Sequence, residues 1–270
     1  MRFEPPFVAN TIVVDRGDTL MPEARVIAAP ATAEPAWRRH LLAADVPESG
    51  LDDWVPAASR LVVLAPHPDD EVIACGGLIH AHALRQGQVT VIGVTDGEAS
   101  HAGVPGQDAS SLATLRRRER ERGLAALGVK PGNISRLAIG DGQVGQGAAR
   151  MFERVVAMLR PGDVVATTWR FDGHPDHEAT GRVATRACLL AGCRLIEAPV
   201  WMWHWAAPND TRIDWPRLRA LRLSDAALRA KRRALNEHAT QLAPRGTQLP
   251  PVLDAAIVER SRREFEYFFV

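Results

Sequence analysis

The spacing of hydrophobic positions alternates between two periods along most of the chain. Leu61-Val62-Val63-Leu64-Ala65 is an unbroken apolar run, the pattern of a strand covered on both faces. Residues 70–85 then place Ile73, Gly77, Ala81 and Leu84 at helical spacing. The strand pattern returns at 89–94, 134–139, 164–168 and 195–201. Between these runs, 110–127, 148–159 and 177–191 read as helices, the first with Leu112, Leu115, Leu124 and Leu127 on its apolar side. Pro161-Gly162 and Gly192 close the latter two. A further strand is expected at 217–223 and a helix at 225–241, while the aromatic tail 264–270 is expected to dock on the body. Alternating strands and helices predict an α/β fold, a Rossmann-like three-layer α/β/α arrangement around a mostly parallel sheet with right-handed crossovers.

Residues 1–58 lack this rhythm. Pro5, Pro6, Pro22, Pro30, Pro35, Pro47 and Pro56 punctuate them. Apolar runs at 11–14 and 25–28 predict short strands, and 36–44 a helix. The segment reads as an N-terminal extension packed on a main domain of 59–270. No internal repeat or low-complexity tract interrupts that domain.

Composition narrows the function classes. Of 270 residues, 46% are hydrophobic and 24% charged, which suits a globular protein with a sizeable core. A net charge of +1 gives a nucleic-acid partner no global electrostatic support. The three cysteines, Cys75, Cys188 and Cys193, are odd in number and contain no C-x-x-C pair. That argues against a disulfide framework and a thiolate zinc finger. The N-terminus does not fit a signal peptide, and no apolar stretch is long enough for a membrane span. A cytoplasmic protein is expected.

Two clusters of ligand-type side chains fall at strand ends, where the ligand crevice of an open α/β sheet lies. His67-Pro68-Asp69-Asp70-Glu71 follows the 61–65 strand, and Asp172-Gly173-His174-Pro175-Asp176-His177 follows the 164–168 strand. Hydrolytic zinc sites use three N/O side-chain ligands and leave a position for water. His67, Asp70 and His177 suit the ligand set. Asp69 suits the general base, because a second carboxylate beside the ion can take the proton of water. A protonated His174 suits an oxyanion stabiliser and a donor to the leaving amine, with Asp176 orienting it. The chemistry is also compatible with iron(II), cobalt or manganese in place of zinc.

Each feature also has a blander reading. Asp69 or Asp70 can simply cap a helix, with Glu71 favouring its dipole. A second acidic-histidine cluster at another strand end weighs against that. His40, His80, His82 and His204 are expected to be structural or solvated. Arg116, Arg117, Arg118, Arg120 and Arg122, interleaved with Glu119 and Glu121, read as a solvated helix face, with Arg116 the one expected to turn inward. Trp201, Trp203 and Trp205 alternate as on a strand, so they either stack on a sugar or pack the core. Cys75 reads as a small buried residue.

These residues also carry a resemblance. Ala65-Pro66-His67-Pro68-Asp69-Asp70-Glu71 with Cys75-Gly76-Gly77, and Gly173-His174-Pro175-Asp176-His177-Glu178-Ala179, resemble the LmbE-like (PIG-L) family of zinc-dependent N-deacetylases. Thr95-Asp96-Gly97-Glu98, Arg116 with Glu119, Leu127-Gly128-Val129, Lys231 and His238-Ala239-Thr240-Gln241 extend the likeness over roughly 58–270. The resemblance implies His67, Asp70 and His177 as metal ligands, Asp69 as base, and His174 paired with Asp176. It implies a small-molecule substrate, an N-acetylglucosamine-type sugar or glycoconjugate that loses its acetyl group. Arg116, Asp96, Glu98, Asp172, Trp201 and His238 are the expected substrate contacts. Related folds often self-associate, so a homo-oligomer is compatible with this reading.

Three other readings compete. A dinucleotide-binding oxidoreductase shares the sheet, but no G-x-G-x-x-G turn follows the first strand. A non-catalytic carbohydrate-binding module would keep a structural metal, which normally has four protein ligands. The same amide hydrolysis on a non-sugar substrate is the third.

Overall fold

The computed structural model describes residues 30–246 and 249–270; the strands expected at 11–14 and 25–28 lie outside the described residues. In chain order the elements are Glu34–Ala43 (α1), Leu51–Trp54 (α2), Leu61–Ala65 (β1), Asp70–Leu84 (α3), Val89–Gly93 (β2) and Ala109–Ala126 (α4). Ile134–Arg136 (β3), Ala148–Met158 (α5), Val164–Thr168 (β4), Pro175–Ala191 (α6) and Arg194–Ala198 (β5) follow. Met202–Trp205 (α7), Leu218–Arg222 (β6), Asp225–Asn236 (α8), Ala239–Leu242 (α9), Ala255–Arg260 (α10) and Phe265–Phe269 (β7) complete the chain.

The strands form one sheet in the order β3-β2-β1-β4-β5-β7-β6. β1 to β5 are parallel, and β7 is antiparallel to both β5 and β6. Every residue of β1 and β4 is buried, as suits the unbroken apolar run of β1, and the two threonines that end β4 donate to the Leu64 and His177 carbonyls. On one face, Leu78 and Ile79 of α3, Leu124 of α4 and Ala230 and Ala234 of α8 share a core with β1 and β2. On the other, Met151 and Val155 of α5 and Val183, Ala184 and Ala187 of α6 do the same. Chain order reverses between β1 and β4, which places the two motif loops on either side of a crevice at the carboxyl edge of the sheet.

A third cluster ties α1 to the far end of the sheet. Trp37 packs among Trp169, Trp203 and Phe269, and its indole Nε1 donates to the Trp203 carbonyl at 3.1 Å. Glu34 accepts from Arg263 Nε and Nη2 at 2.8 and 2.7 Å.

Four expectations need correction. The tail 264–270 does more than dock, because β7 inserts between β5 and β6. The strand expected at 195–201 ends at Ala198, and Trp201, Trp203 and Trp205 lie in or beside the helical turn α7. The amides of Val200, Trp201 and Met202 all donate to the Asp172 carboxylate at 2.8–3.0 Å. A strand directs successive amides to opposite sides, so it cannot bring three onto one carboxylate. The helix expected at 225–241 is split into α8 and α9 around His238. On α4, Leu115 is 45% exposed, while Arg116 and Arg120 both turn inward.

Candidate active site

The loop after β1 is held in an unusual conformation. Asp69 sits at φ 138°, ψ −29°, a region that costs a non-glycine residue on the order of 1–3 kcal/mol. Arg116 over-determines it, donating to the carbonyls of Pro68 and Gly97 at 2.8 Å each and to Asp69 Oδ2 at 3.0 Å. The guanidinium fits because residue 97 is glycine: a Cβ there would stand 1.8 Å from Arg116 Nη1. Asp70 Oδ2 accepts from the His67 amide at 2.9 Å and lies 3.1 Å from His67 Nδ1 and 3.2 Å from His177 Nε2.

The loop after β4 uses ordinary helix-start geometry. His174 caps α6, its Nδ1 accepting from the Asp176 amide at 3.2 Å, and Pro175 occupies the first turn. His177 is fully buried, its Nδ1 2.8 Å from Asp172 Oδ2. Its Nε2 has no hydrogen-bond partner among the described residues, although it is buried and faces Asp70. The ring centroids of His67, His174 and His177 lie 4.8–5.3 Å apart.

Two carboxylates address the far side of His67. Asp176 Oδ2 and Asp141 Oδ1 each stand 3.2 Å from His67 Nε2. Asp176 is further fixed by the amides of Gly142 and Val144, at 2.8 and 3.2 Å. Its carboxylate therefore serves His67, and only its backbone serves His174. Sequence reasoning missed Asp141. The available signal was an acidic residue between two glycines, Gly140 and Gly142, just beyond the third predicted strand.

Charge states follow from this packing. Burial opposes a charge on His67, but hydrogen bonds to Asp141, Asp176 and Asp70 outweigh it and hold the ring well above the ordinary imidazole range. His177 is likewise carried to about 9 by Asp70 and Asp172 against its burial. Asp70 resists burial through the two rings and stays well below the usual carboxylate range. Its neighbour goes the other way: burial pushes Asp69 up to about 7, with Asp70 adding repulsion and Arg116 moderating the rise. His174 falls to about 3, through burial and the positive rings of His177 and His67. The protonated His174 expected from the sequence is disfavoured in the metal-free site. Its Nδ1 accepts a backbone N–H, so the neutral ring carries its proton on Nε2.

A cavity of about 370 Å³ opens over these groups. His67, Asp69, Asp70, Arg116, Asp141, His174 and His177 form its polar end, while Ile73, Val200, Trp201, Val252, Leu253 and Ile257 form an apolar wall. Of the expected substrate contacts, Arg116 and Trp201 line the cavity. The other four lie outside its lining. Asp96 is buried and paired with Arg117 and Arg136. Glu98 accepts from the Asp141 amide at 2.9 Å, holding that loop. Asp172 is fully buried beneath His177. His238 is packed against Gly123 of α4, and burial, with the charges of Arg116, Arg120 and Arg122, depresses it to about 3. Cys75 is buried and donates to the Glu71 carbonyl at 3.5 Å.

The sheet order and the two strand-end loops define a Rossmann-like α/β/α fold whose carboxyl-edge crevice gathers a buried His/Asp cluster able to hold a metal ion. The chain belongs to the PIG-L (GlcNAc-PI de-N-acetylase) family, whose sequence model matches residues 62–188. It is 32% identical over 230 residues to the 1D-myo-inositol 2-acetamido-2-deoxy-alpha-D-glucopyranoside deacetylase of Corynebacterium efficiens, covering 68% of this chain and 72% of the relative. A probable N-acetyl-alpha-D-glucosaminyl L-malate deacetylase 2 of Bacillus anthracis is 26% identical, covering 74% of this chain and 89% of the relative. Among solved structures, the A40926 pseudoaglycone deacetylase matches with a TM-score of 0.59 at 21% identity, over 78% of this chain and 96% of that one. That likeness establishes the shared fold.

Proposed function

We propose that this protein is a zinc-dependent N-deacetylase that hydrolyses the N-acetyl group of an N-acetylglucosamine-type sugar or glycoconjugate. The observation that carries the reading is the convergence of ligand atoms from His67, Asp70 and His177 within 4.8 Å of one another, beside a carboxylate raised to about 7. The donor set fits the ion. Metal–ligand bonds of about 2.0–2.1 Å in a tetrahedron separate neighbouring ligands by about 3.3 Å. Asp70 Oδ2 stands 3.1 and 3.2 Å from the two ring nitrogens, and the buried His177 Nε2 lacks any other partner among the described residues. The second nitrogen of each ring meets carboxylates, as metal-binding histidines require to fix their tautomer.

When bound, the ion acidifies water and polarises the amide carbonyl. The protein's own groups do the rest. Asp69 in its deprotonated form takes the proton of the attacking water and returns it to the departing amine. Arg116 holds the base in place. Nε2–H of His174 donates to the carbonyl oxygen as it gains negative charge. The apolar wall at Trp201 and Ile73 receives the less polar part of the substrate. Relatives of this family named for different glycosides support a sugar substrate and leave its aglycone to be found by assay. The three free cysteines support a reducing, cytoplasmic setting.

Metal analysis of the purified protein, followed by acetate release from a panel of N-acetylglucosaminides, tests the reading. About one zinc per chain and release from at least one glycoside are expected. Metal-loaded protein that is inert across sugar and non-sugar N-acetyl compounds sinks it.

A further inference from the structure

Helix α3, which begins with Asp70, is broken. Cys75 has φ −146°, ψ 27°, outside helical space, so the residues from Asp70 to Ala74 form a separate turn. No proline lies in the helix to cause this. A kink without proline arises at glycine or serine pairs, at π-bulges or where something inserts into the hydrogen-bond ladder, and here Gly76-Gly77 give an insert room.

The insert is an ion pair from distant elements. In a continuous helix the Gly77 amide would donate to the Ile73 carbonyl. Here Gly77 N donates to Glu266 Oε1 of β7 at 2.7 Å, and the Ile73 carbonyl accepts from Lys231 Nζ of α8 at 2.9 Å. Lys231 Nζ and Glu266 Oε1 join at 2.6 Å. The Leu78 amide takes the second carboxylate oxygen at 2.8 Å. The pair therefore bridges the gap: carbonyl 73, ammonium, carboxylate, amides 77 and 78. Glu266 caps the start of the second half of α3, and Lys231 caps the end of the first. Both side chains are at most 5% exposed. Glycine is needed beside the insert, since a Cβ on Gly76 would approach Lys231 Cγ to 3.2 Å and one on Gly77 would strike Leu223 at 2.4 Å.

We infer that Lys231 and Glu266 are positioning residues for the metal site. The inference rests on the ligand assignment under Proposed function. With the ladder interrupted, the rest of α3 does not dictate the orientation of the Asp70–Ala74 turn. That orientation is set by the Ile73 carbonyl on Lys231. The same turn carries Asp70 Oδ2 to its place between His67 and His177, and Ile73 to the cavity wall. A continuous helix would swing both.

Two variants test this: Glu266→Gln, and the double variant Lys231→Met/Glu266→Met. Replacing a buried ion pair with apolar residues is often neutral for stability. The double variant thus separates folding from positioning. The readouts are Co2+ affinity, by chelator competition, and the visible absorption spectrum of the bound Co2+. Affinity is expected to fall roughly 10–100-fold, the range seen when supporting partners of metal ligands are lost, with a shifted spectrum. If the double variant does not fold, the nearly isosteric Glu266→Gln carries the test alone. Wild-type affinity and an unchanged spectrum in the folded variants overturn the inference while leaving the ligand assignment intact. A wild-type protein that binds no Co2+ overturns both.

Discussion

The loop after β1 reaches the site through a residue at φ 138°, while the loop after β4 reaches it through a regular helix start. In the first loop Arg116 clamps two carbonyls and a carboxylate, and two adjacent aspartates are driven in opposite directions. In the second, proline, a capping histidine and a buried aspartate fix His177 without backbone strain. Between these two loops, the conformational cost falls on the residue assigned to proton transfer. The strained backbone turns Asp69 away from Asp70 and into the cavity. The unstrained loop supplies a rigid counterpart.

The division of labour between the loops can be broken at graded levels. Asp70→Ala removes the one oxygen that lies between both rings; bound zinc is expected to disappear in metal analysis and acetate release to fall to background. Asp69→Asn should keep the metal and lower kcat/KM by roughly 10²–10⁴, the range of a lost general base; a fully active variant would transfer that role elsewhere. Asp172→Asn weakens the support of His177 and the anchoring of the Val200–Met202 amides together, so metal affinity is expected to drop roughly 10–100-fold in chelator competition.

Arg116→Met probes the clamp through pH. Asp69 works deprotonated, so activity rises with pH through its titration. Burial raises that titration to about 7 in the metal-free protein with Arg116 already opposing the rise, and a bound cation would pull it down further. Removing Arg116 therefore moves the acid limb of kcat/KM to higher pH. A limb that stays put would detach Asp69 from the pH profile.

Much of this was legible in the chain. Strand β1 declared itself by an unbroken apolar run, and β2 and β4 by short valine-rich runs that include threonine. The His67–Asp70 and His174–His177 clusters declared themselves by lying just past two of them. What escaped was set by contacts distant in sequence. Asp172 was expected to meet substrate, yet it collects three amides about 30 residues on and so abolishes the strand expected through Trp201. Arg120 looked solvated, yet Gly93 leaves room for its guanidinium, since a Cβ there would stand 1.9 Å from Nη1. The β7 strand had an apolar pattern, but its antiparallel slot between β5 and β6 depends on tertiary pairing. His238, matched by family likeness, fell within a helix-packing seam and away from the cavity.

Asp172 has one further consequence. One of its oxygens meets the ring of His177 and the Trp201 amide, while the other holds the amides of Val200 and Met202. His177 and the cavity wall at Trp201 thus hang from the same carboxylate. Under the proposed ligand assignment, a displacement of His177 that accommodates a different ion would be passed to Trp201. Affinities for ion and sugar then become thermodynamically linked, each altering the other by the same factor. Exchanging zinc for a larger cation is expected to change which glycosides bind as well as how fast they are cleaved.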